Sequence, residues 1–179
     1  MAWEIAFLQW IQANVVCDWL TPIMEFCTNM GGGLIWIAIT IILLIFPQTR
    51  KLGLITALAL LINILLCNVF LKPLIARPRP FTLAEVELLI PAPGDFSFPS
   101  GHTSASFAAA TAIFLGWRKA GIAALLFAGV VAFSRLYFFV HFPTDVLGGL
   151  VVGVLAAWLS TVIVNYCSKK MSKPTSGKA

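Results

Sequence analysis

Long apolar segments constrain this chain more than any other feature. Five of them lie at residues 33–46, 53–71, 103–116, 121–140 and 146–166. A helix needs about 20 residues to cross the hydrocarbon core of a bilayer, and a segment in lipid must satisfy its own backbone hydrogen bonds. Only 11% of the residues are charged, against roughly 25% in an ordinary soluble domain. The sequence therefore predicts an all-α, polytopic membrane helix bundle that forms a single domain over residues 1–179.

The stretch 5–29 is also apolar, but it contains Asp18, Pro22 and Glu25. A kinked span, a re-entrant hairpin and an interfacial helix all fit this composition. The three glycines at 31–33 indicate a turn after it. Counting this stretch, we expect about six transmembrane helices.

The distribution of basic residues predicts the orientation of the bundle. Eight of the 12 lysine and arginine residues fall at one face: Arg50, Lys51, Arg118, Lys119, Lys169, Lys170, Lys173 and Lys178. Basic loops stay cytoplasmic, so this face and the basic tail at 168–179 are expected in the cytoplasm. The other four, Lys72, Arg77, Arg79 and Arg135, fall toward the outer face of the cell membrane. The net charge of +5 is thus explained by topology, and we expect no nucleic-acid partner.

Three polar clusters lie at predicted helix ends on the outer face. They are KPLIARPRP (72–80), PSGHTS (99–104) and SRLYFFVHFPTD (134–145), and the long outer loop 73–100 joins the third span to the fourth. A charge in an apolar chain needs a partner or a function, because burying it alone costs several kcal/mol. The topology predicts that the three clusters meet in one layer.

The residue types in these clusters suit phosphoryl transfer. Lys72, Arg79 and Arg135 supply donors and positive charge for phosphate oxygens. Ser100, Gly101 and His102 stand where a helix begins, and free N–H groups there favour an anion. Taken singly, each residue has an ordinary explanation, such as a helix cap, a packing residue or a snorkelling arginine. The convergence of both histidines with four outer cations favours a catalytic site instead.

The pair His141 and Asp145 has the spacing of a nucleophile and its orienting group. The two residues are four apart, so a helix-like turn brings them within reach of each other. A carboxylate bound to one imidazole nitrogen leaves the other nitrogen free to attack. His102 is the only other histidine, and it can protonate the departing oxygen.

The same residues resemble the three signature motifs of the type 2 phosphatidic acid phosphatase family. Lys72 to Pro80 matches K-x-x-x-x-x-x-R-P, residues 99–102 match P-S-G-H, and 134–145 match S-R-x-x-x-x-x-H-x-x-x-D. This family comprises integral-membrane lipid phosphatases related to the vanadium haloperoxidases. All motif positions are intact, and the three motifs together are highly specific.

The resemblance implies a role for each matched residue. His141 is expected to form a phosphohistidine, Asp145 to orient it, and His102 to protonate the leaving group. The expected phosphate pocket consists of Lys72, Arg79, Ser100, Gly101 and Arg135. Arg77 lies outside the signature, and we expect it either to contact a second phosphate or headgroup or to sit at the interface. The resemblance implies no metal ion and no other cofactor.

The predicted function is hydrolysis of a lipid phosphate or diphosphate, with undecaprenyl diphosphate favoured because an outer-facing site suits carrier-lipid recycling. Phosphatidylglycerol phosphate and phosphatidic acid are the alternative substrates. A lipid phosphotransferase and a non-catalytic anion-binding or lipid-binding membrane protein are the alternative functions. The expected partners are the lipid substrate and the bilayer, and no oligomeric state is predicted.

Overall fold

A computed structural model describes residues 1–171, and all regular secondary structure among these residues is helical. The all-α class predicted from the sequence is confirmed for them, whereas most of the predicted basic tail at 168–179 lies outside the described residues. The helices are α1 (Ala2–Asn14), α2 (Thr21–Met30), α3 (Leu34–Ile45), α4 (Arg50–Asn63), a π-helical segment (Ile64–Leu71), α5 (Lys72–Ile75), a 3₁₀ turn (Pro80–Thr82), α6 (Gly101–Gly116), α7 (Arg118–Tyr137) and α8 (Pro143–Met171).

The protein is a multi-pass membrane protein. Within the described part of the chain, the stretches Arg50–Thr82, Arg118–Tyr137 and Pro143–Lys170 are long and apolar enough to cross a bilayer. Helices α2 and α3, bent by 48° at their junction, form a fourth candidate when taken together. Helix α6 has 16 residues and is about 24 Å long, short of the roughly 30 Å hydrocarbon core. The number of six spans therefore stays a prediction.

Helix α6 forms the centre of the bundle and packs against α4, α7 and α8. Small residues make this close packing feasible, since the buried positions of α6 include four alanines, at 108, 109, 110 and 112. Gly149 and Gly153 of α8 face α6 so closely that a Cβ at Gly153 would lie 2.4 Å from the backbone oxygen of Ser104. These two glycines therefore let α8 pack closely against α6.

A continuous helical rod runs from α4 through the π-helical segment into α5. It ends at Ala76, whose left-handed backbone (φ 47°) forms the cap of α5. The chain then returns through the 3₁₀ turn and an irregular stretch to Gly101, where α6 begins. Antiparallel succession of these helices places the end of the rod, the start of α6, the end of α7 and the start of α8 at one end of the bundle.

Two further pieces cover this end of the molecule. Helix α1 buries Leu8 against Phe139 and Phe142, which belong to the connection between α7 and α8. Its outward side exposes Trp3 and Trp10, residue types that favour the membrane interface. In the loop 73–100, apolar side chains of the stretch 84–90 pack on the same connection. Both pieces thus enclose the polar clusters from the side opposite α3.

Candidate active site

One cavity of about 390 Å³ brings the three polar clusters together. Its lining includes residues from each cluster: Lys72, Arg79, Gly101, His102, Arg135 and His141. The two histidines therefore face one space, although 39 positions separate them in the sequence. The opposite wall is apolar and comes from α3 and from the rod, with Leu34, Ile37, Leu60 and Ile64.

The π-helical segment and the two residues that flank it contribute three polar side chains to the cavity lining. A π-helix closes its hydrogen bonds between residues five apart, so such residues share a face. Asn63 and Asn68 have this spacing, and with Lys72 one turn later they line the cavity. The side-chain oxygen of Asn63 is buried and has no hydrogen-bond partner among the described residues.

His102 stands in the first turn of α6, where backbone N–H groups have no partner within the helix. Gly101 precedes it, and a Cβ added there would lie 3.8 Å from Lys72 Nζ. From the other side, the turn between α2 and α3 comes close, because a Cβ at Gly32 would lie 3.5 Å from His102 Nε2. Two of the three glycines at 31–33 therefore do more than reverse the chain, since Gly32 and Gly33 also line the cavity.

His141 lies in the short connection between α7 and α8 and is only 1% exposed. Its Nδ1 faces Asp145 Oδ2 at 3.5 Å and has no closer partner among the described residues. Its Nε2 lies 3.3 Å from Arg79 Nη1. Burial lowers the pKa of His141 to about 4, since the charges of Arg79 and Arg135 add to burial and together outweigh the hydrogen bond of Asp145. The imidazole is therefore neutral near pH 7 and keeps a lone pair for attack.

Asp145 lies behind His141 in the first turn of α8 and is fully buried. Its Oδ2 accepts hydrogen bonds from Ser97 Oγ (2.5 Å) and from the Phe142 N–H (2.8 Å). Its Oδ1 accepts one from Arg77 Nη1 at 2.5 Å. These donors fix the carboxylate in the position that orients the imidazole.

The cations of the cavity are held by the protein but keep donors toward the space. Arg79 Nη1 donates to the Val140 carbonyl at 2.7 Å, and Arg135 Nη1 donates to Thr28 Oγ1. The Nε of Arg135 is buried and has no partner among the described residues. A buried guanidinium with an unused donor, next to Lys72 and Arg79, forms an anion site.

Asp95, in the loop before α6, also lines the cavity, and its carboxylate pairs with Lys72 Nζ and Arg79 Nη2. Its side chain is 54% exposed. Burial raises the pKa of Asp95, but the hydrogen bonds and charges of Lys72 and Arg79 outweigh this effect and hold the pKa at about 2. This carboxylate therefore forms ion pairs with Lys72 and Arg79, the two cations that the sequence predicts to bind phosphate.

Ser100 of the predicted phosphate pocket and Arg77, the predicted headgroup or interface residue, lie outside the cavity lining. Ser100 is fully buried outside the cavity lining; its N–H donates to the Asp145 carbonyl at 3.0 Å, and its Oγ accepts from Thr103 Oγ1. Arg77, expected at a headgroup or at the interface, lies behind Asp145 and contacts it together with Glu4. Both residues support the site from behind, because their side chains are engaged by protein groups there.

Sequence reasoning missed several polar residues of this region. Asn63 and Asn68 carried a signal, since amides are uncommon in an apolar span and these two precede Lys72 on one helix. Asp95 carried a weaker one, as an acid just before the P-S-G-H motif. Glu4 gave no signal, because nothing local distinguishes it from a solvated residue of a first helical turn.

The arrangement has the components of metal-free phosphoryl transfer. A neutral imidazole oriented by a carboxylate can attack phosphorus, a second imidazole can donate a proton, and three cations can neutralise the phosphate oxygens. The apolar wall can accept a hydrocarbon chain. A phosphorylated lipid fits both parts of the cavity, with its phosphate at the cations and its hydrocarbon chain at the apolar wall.

Comparison with known proteins agrees with this chemistry. The model of the PAP2 superfamily matches residues 48–169. An undecaprenyl-diphosphatase of Sulfolobus acidocaldarius is 36% identical over 80% of this chain and 70% of its own length. The undecaprenyl-diphosphatase BcrC of Bacillus subtilis is 40% identical over 63% of this chain and 58% of its own length.

A solved structure shares almost the whole fold. The PAP2-type phosphatidylglycerolphosphate phosphatase of Bacillus subtilis superposes with a TM-score of 0.77 at 26% identity. The match covers 97% of this chain and 88% of that one. On the family match, the sequence identity and this shared fold, the chain belongs to the PAP2 superfamily.

Proposed function

We propose that the chain, a membrane lipid phosphatase of the PAP2 superfamily, hydrolyses the diphosphate of a polyprenyl lipid, with undecaprenyl diphosphate as the preferred substrate. The observation that supports this most is the two-sided cavity, where both histidines and three cations face an apolar wall. Two undecaprenyl-diphosphatases among the relatives favour the polyprenyl diphosphate. The phosphatidylglycerolphosphate phosphatase that shares the fold makes phosphatidylglycerol phosphate the second candidate.

The proposed reaction begins with attack of His141 Nε2 on the terminal phosphorus. A nitrogen–phosphorus bond forms as the bond to the bridging oxygen breaks, and His102 donates a proton to that oxygen. Lys72, Arg79 and Arg135 neutralise the charge that develops on the phosphate oxygens. His102 then takes a proton from water, which attacks the phosphohistidine and releases inorganic phosphate. No step of this sequence uses a metal ion, so EDTA is expected to leave turnover unchanged.

The hydrocarbon chain of the substrate is proposed to leave the cavity between α3 and the rod. Leu34 and Ile37 of α3 line the cavity and are also exposed on the outside, at 79% and 48%. Ile64 of the rod lines the same wall and is 46% exposed. Side chains that face both the cavity and the bilayer provide an apolar path from the phosphate pocket to lipid.

The active site is proposed to face the outside of the cell membrane, with the C-terminus in the cytoplasm. The bundle end opposite the cavity gathers Lys51, Gly116 and Asn165 around one depression. Arg50, Arg118 and Lys169 lie near the helix termini at that end. This distribution supports the orientation predicted by the basic loops.

Labelling single-cysteine chains tests the orientation. One chain keeps only Cys167, which is exposed near the end of α8; the other has only Gly94→Cys, at a position where an added Cβ meets open space. A membrane-impermeant maleimide on intact cells is expected to label the second chain and to label the first only after lysis. The reverse pattern would contradict an outward-facing site.

A substrate panel with the purified full-length chain tests the reaction. Phosphate release from undecaprenyl diphosphate, phosphatidylglycerol phosphate and phosphatidic acid is measured in detergent micelles without any added acceptor. The highest kcat/KM is expected for undecaprenyl diphosphate, and His141→Ala is expected to lower kcat by at least about 10³-fold. Faster turnover of another lipid would overturn the proposed substrate. If no phosphate is released without an added acceptor, phosphotransfer would be favoured. Unchanged function in His141→Ala would favour a non-catalytic anion-binding protein.

A further inference from the structure

A second cluster of charges lies directly behind the proposed catalytic pair and outside the cavity. It joins Glu4 of α1, Arg77 of the loop after α5, and Thr144 and Asp145 of α8. The side chains of Glu4, Arg77 and Asp145 are 4%, 14% and 0% exposed. Neither Glu4, Arg77 nor Thr144 lines the cavity. We call these four residues the rear cluster.

Arg77 is the centre of the rear cluster. Its Nη1 donates to Asp145 Oδ1 at 2.5 Å and to Thr144 Oγ1 at 2.6 Å, and its Nη2 donates to Glu4 Oε2 at 2.7 Å. Its guanidinium also lies 3.9 Å from the ring centroid of Phe142. A planar guanidinium that is held at one face and at both terminal nitrogens has little freedom to move, and it fixes the position of the Asp145 carboxylate.

Glu4 closes the cluster from α1. Its Oε1 accepts from Thr144 Oγ1 at 2.6 Å, and Thr144 Oγ1 in turn accepts from Arg77. Glu4 thus fixes both the guanidinium and the first turn of α8. The carboxylates of Glu4 and Asp145 flank one guanidinium, and Asp145 also faces His141.

Helix α1 is anchored beside the cluster at further points. Leu8 is fully buried against Phe142 and Phe139, and Gln12 Nε2 donates to the Tyr137 carbonyl at 2.6 Å. Both contacts are to the connection between α7 and α8, which also contains His141. The first helix of the chain therefore braces the segment that presents the nucleophile.

We propose that Glu4 and Arg77 are positioning residues for the reaction: they hold the Asp145 carboxylate ionised and oriented behind the His141 imidazole. This role rests on the proposed phosphatase function, in which His141 attacks and Asp145 orients it. Neither residue touches the substrate, so their contribution belongs to the chemical step and not to substrate binding. The N-terminal helix thereby becomes part of the catalytic machinery.

The test compares kcat and KM of Glu4→Gln, Arg77→Lys, Arg77→Met and the double variant Glu4→Gln/Arg77→Met. The substrate is the panel lipid that the unmodified chain hydrolyses fastest. Glu25→Gln is the matched control, because Glu25 is exposed on α2 and has no ion pair among the described residues. Elution and thermal unfolding in detergent verify folding of each variant.

Arg77→Met is expected to lower kcat by about 100-fold and Glu4→Gln by about 10-fold, with KM within about twofold of the unmodified chain. Arg77→Lys keeps the charge and is expected to recover part of the loss. In the double variant the losses do not multiply, because both substitutions break one network. Glu25→Gln is expected to have no effect.

Unchanged kcat in folded Glu4→Gln and Arg77→Met chains would overturn the proposal, and so would losses that multiply in the double variant or appear only in KM. If Arg77→Met does not fold, the kcat values of Glu4→Gln and Arg77→Lys test the proposal, since these two substitutions change the side chains less. These outcomes differ from failure of the proposed function itself, in which the unmodified chain releases no phosphate or His141→Ala remains active.

Discussion

Two carboxylates of the site, Asp145 and Asp95, are each paired with an arginine, but they differ in burial and in position. Asp145, at the rear, is fully buried and accepts hydrogen bonds from Arg77, Ser97 and the Phe142 N–H. Asp95, at the front, is 54% exposed and pairs with Lys72 and Arg79 across the cavity. The rear carboxylate has no access to substrate, whereas the front one stands where a phosphate is expected.

The difference in burial gives the two carboxylates different energetics. Removing one partner of a buried ion pair costs about 3–5 kcal/mol, because the other charge stays buried without compensation. A pair with an exposed partner contributes at most about 1 kcal/mol. The rear carboxylate is therefore firmly fixed behind His141, as its proposed orienting role requires. Displacing the front carboxylate costs little free energy, so a dianionic phosphate can replace it as the partner of Lys72 and Arg79.

Replacing the rear carboxylate has the largest expected effect. Asp145→Asn keeps the shape but offers an amide to His141 Nδ1, which favours the wrong tautomer and withdraws the stabilising charge. We expect kcat to fall by about 10³–10⁴-fold with KM little changed, as in other histidine–carboxylate pairs. Steady-state phosphate release measures this. A kcat within tenfold of the unmodified chain would show that Asp145 does not orient the nucleophile.

Removing one hydrogen-bond donor to Asp145 is a smaller change to the same geometry. Ser97 Oγ donates to Asp145 Oδ2, the oxygen that faces His141. Ser97→Ala leaves the other donors in place, so we expect kcat to fall about tenfold. Thr82→Ala is the control, since among the described residues Thr82 Oγ1 binds only the Arg79 carbonyl of its own turn. Equal losses in both variants would indicate a general loosening of the loop.

Replacing the front carboxylate is expected to act in the opposite direction. Asp95→Asn frees Lys72 and Arg79 from a competing anion, so KM and the inhibition constant of inorganic phosphate should fall about three- to tenfold. Turnover at saturation should change by less than about threefold. Weaker phosphate binding in this variant would mean that Asp95 helps to form the pocket.

The stability contribution of Asp95 is the smallest expected effect, and it has a defined pH dependence. The pKa of Asp95 is lowered from 3.8 to about 2 in the folded chain, so its ion pairs stabilise the fold above pH 3.8 and lose this effect as the pH falls toward 2. Asp95→Asn should therefore unfold slightly more readily at pH 7, by about 1 kcal/mol or less. Denaturation in detergent at pH 7 and near pH 2 measures the difference, which should be clearly smaller at the lower pH.

Much of the cavity and the pair of His141 and Asp145 could be predicted from sequence, because these residues belong to short motifs at helix ends. The placement of His141 and Asp145 four apart and of Gly101 before His102 is local, and local spacing is visible in a sequence. The apolar segments predicted helices for the same reason. The number of spans was less accessible, since α6 is short and α2 and α3 meet at a bend.

The contacts behind Asp145 could not be predicted, because they join distant segments. Glu4 is 73 positions from Arg77 and 140 from Thr144, and packing of α1 on the α7–α8 connection brings them together. Arg77 was expected at a headgroup or at the membrane interface. The sequence shows that a positive charge lies at this position, but not in which direction the side chain points. Asp95 was missed because an acid was not expected among phosphate-binding cations.

The most direct test of the account is to trap labelled phosphate on the enzyme. Undecaprenyl diphosphate labelled in its terminal phosphate is mixed with the chain, quenched in base within milliseconds, and the labelled residue is identified. We expect label on His141 in the unmodified chain and none in His141→Ala. Label that persists in folded His141→Ala, or its absence from every variant while phosphate is still released, would contradict the assignment of His141 as the nucleophile.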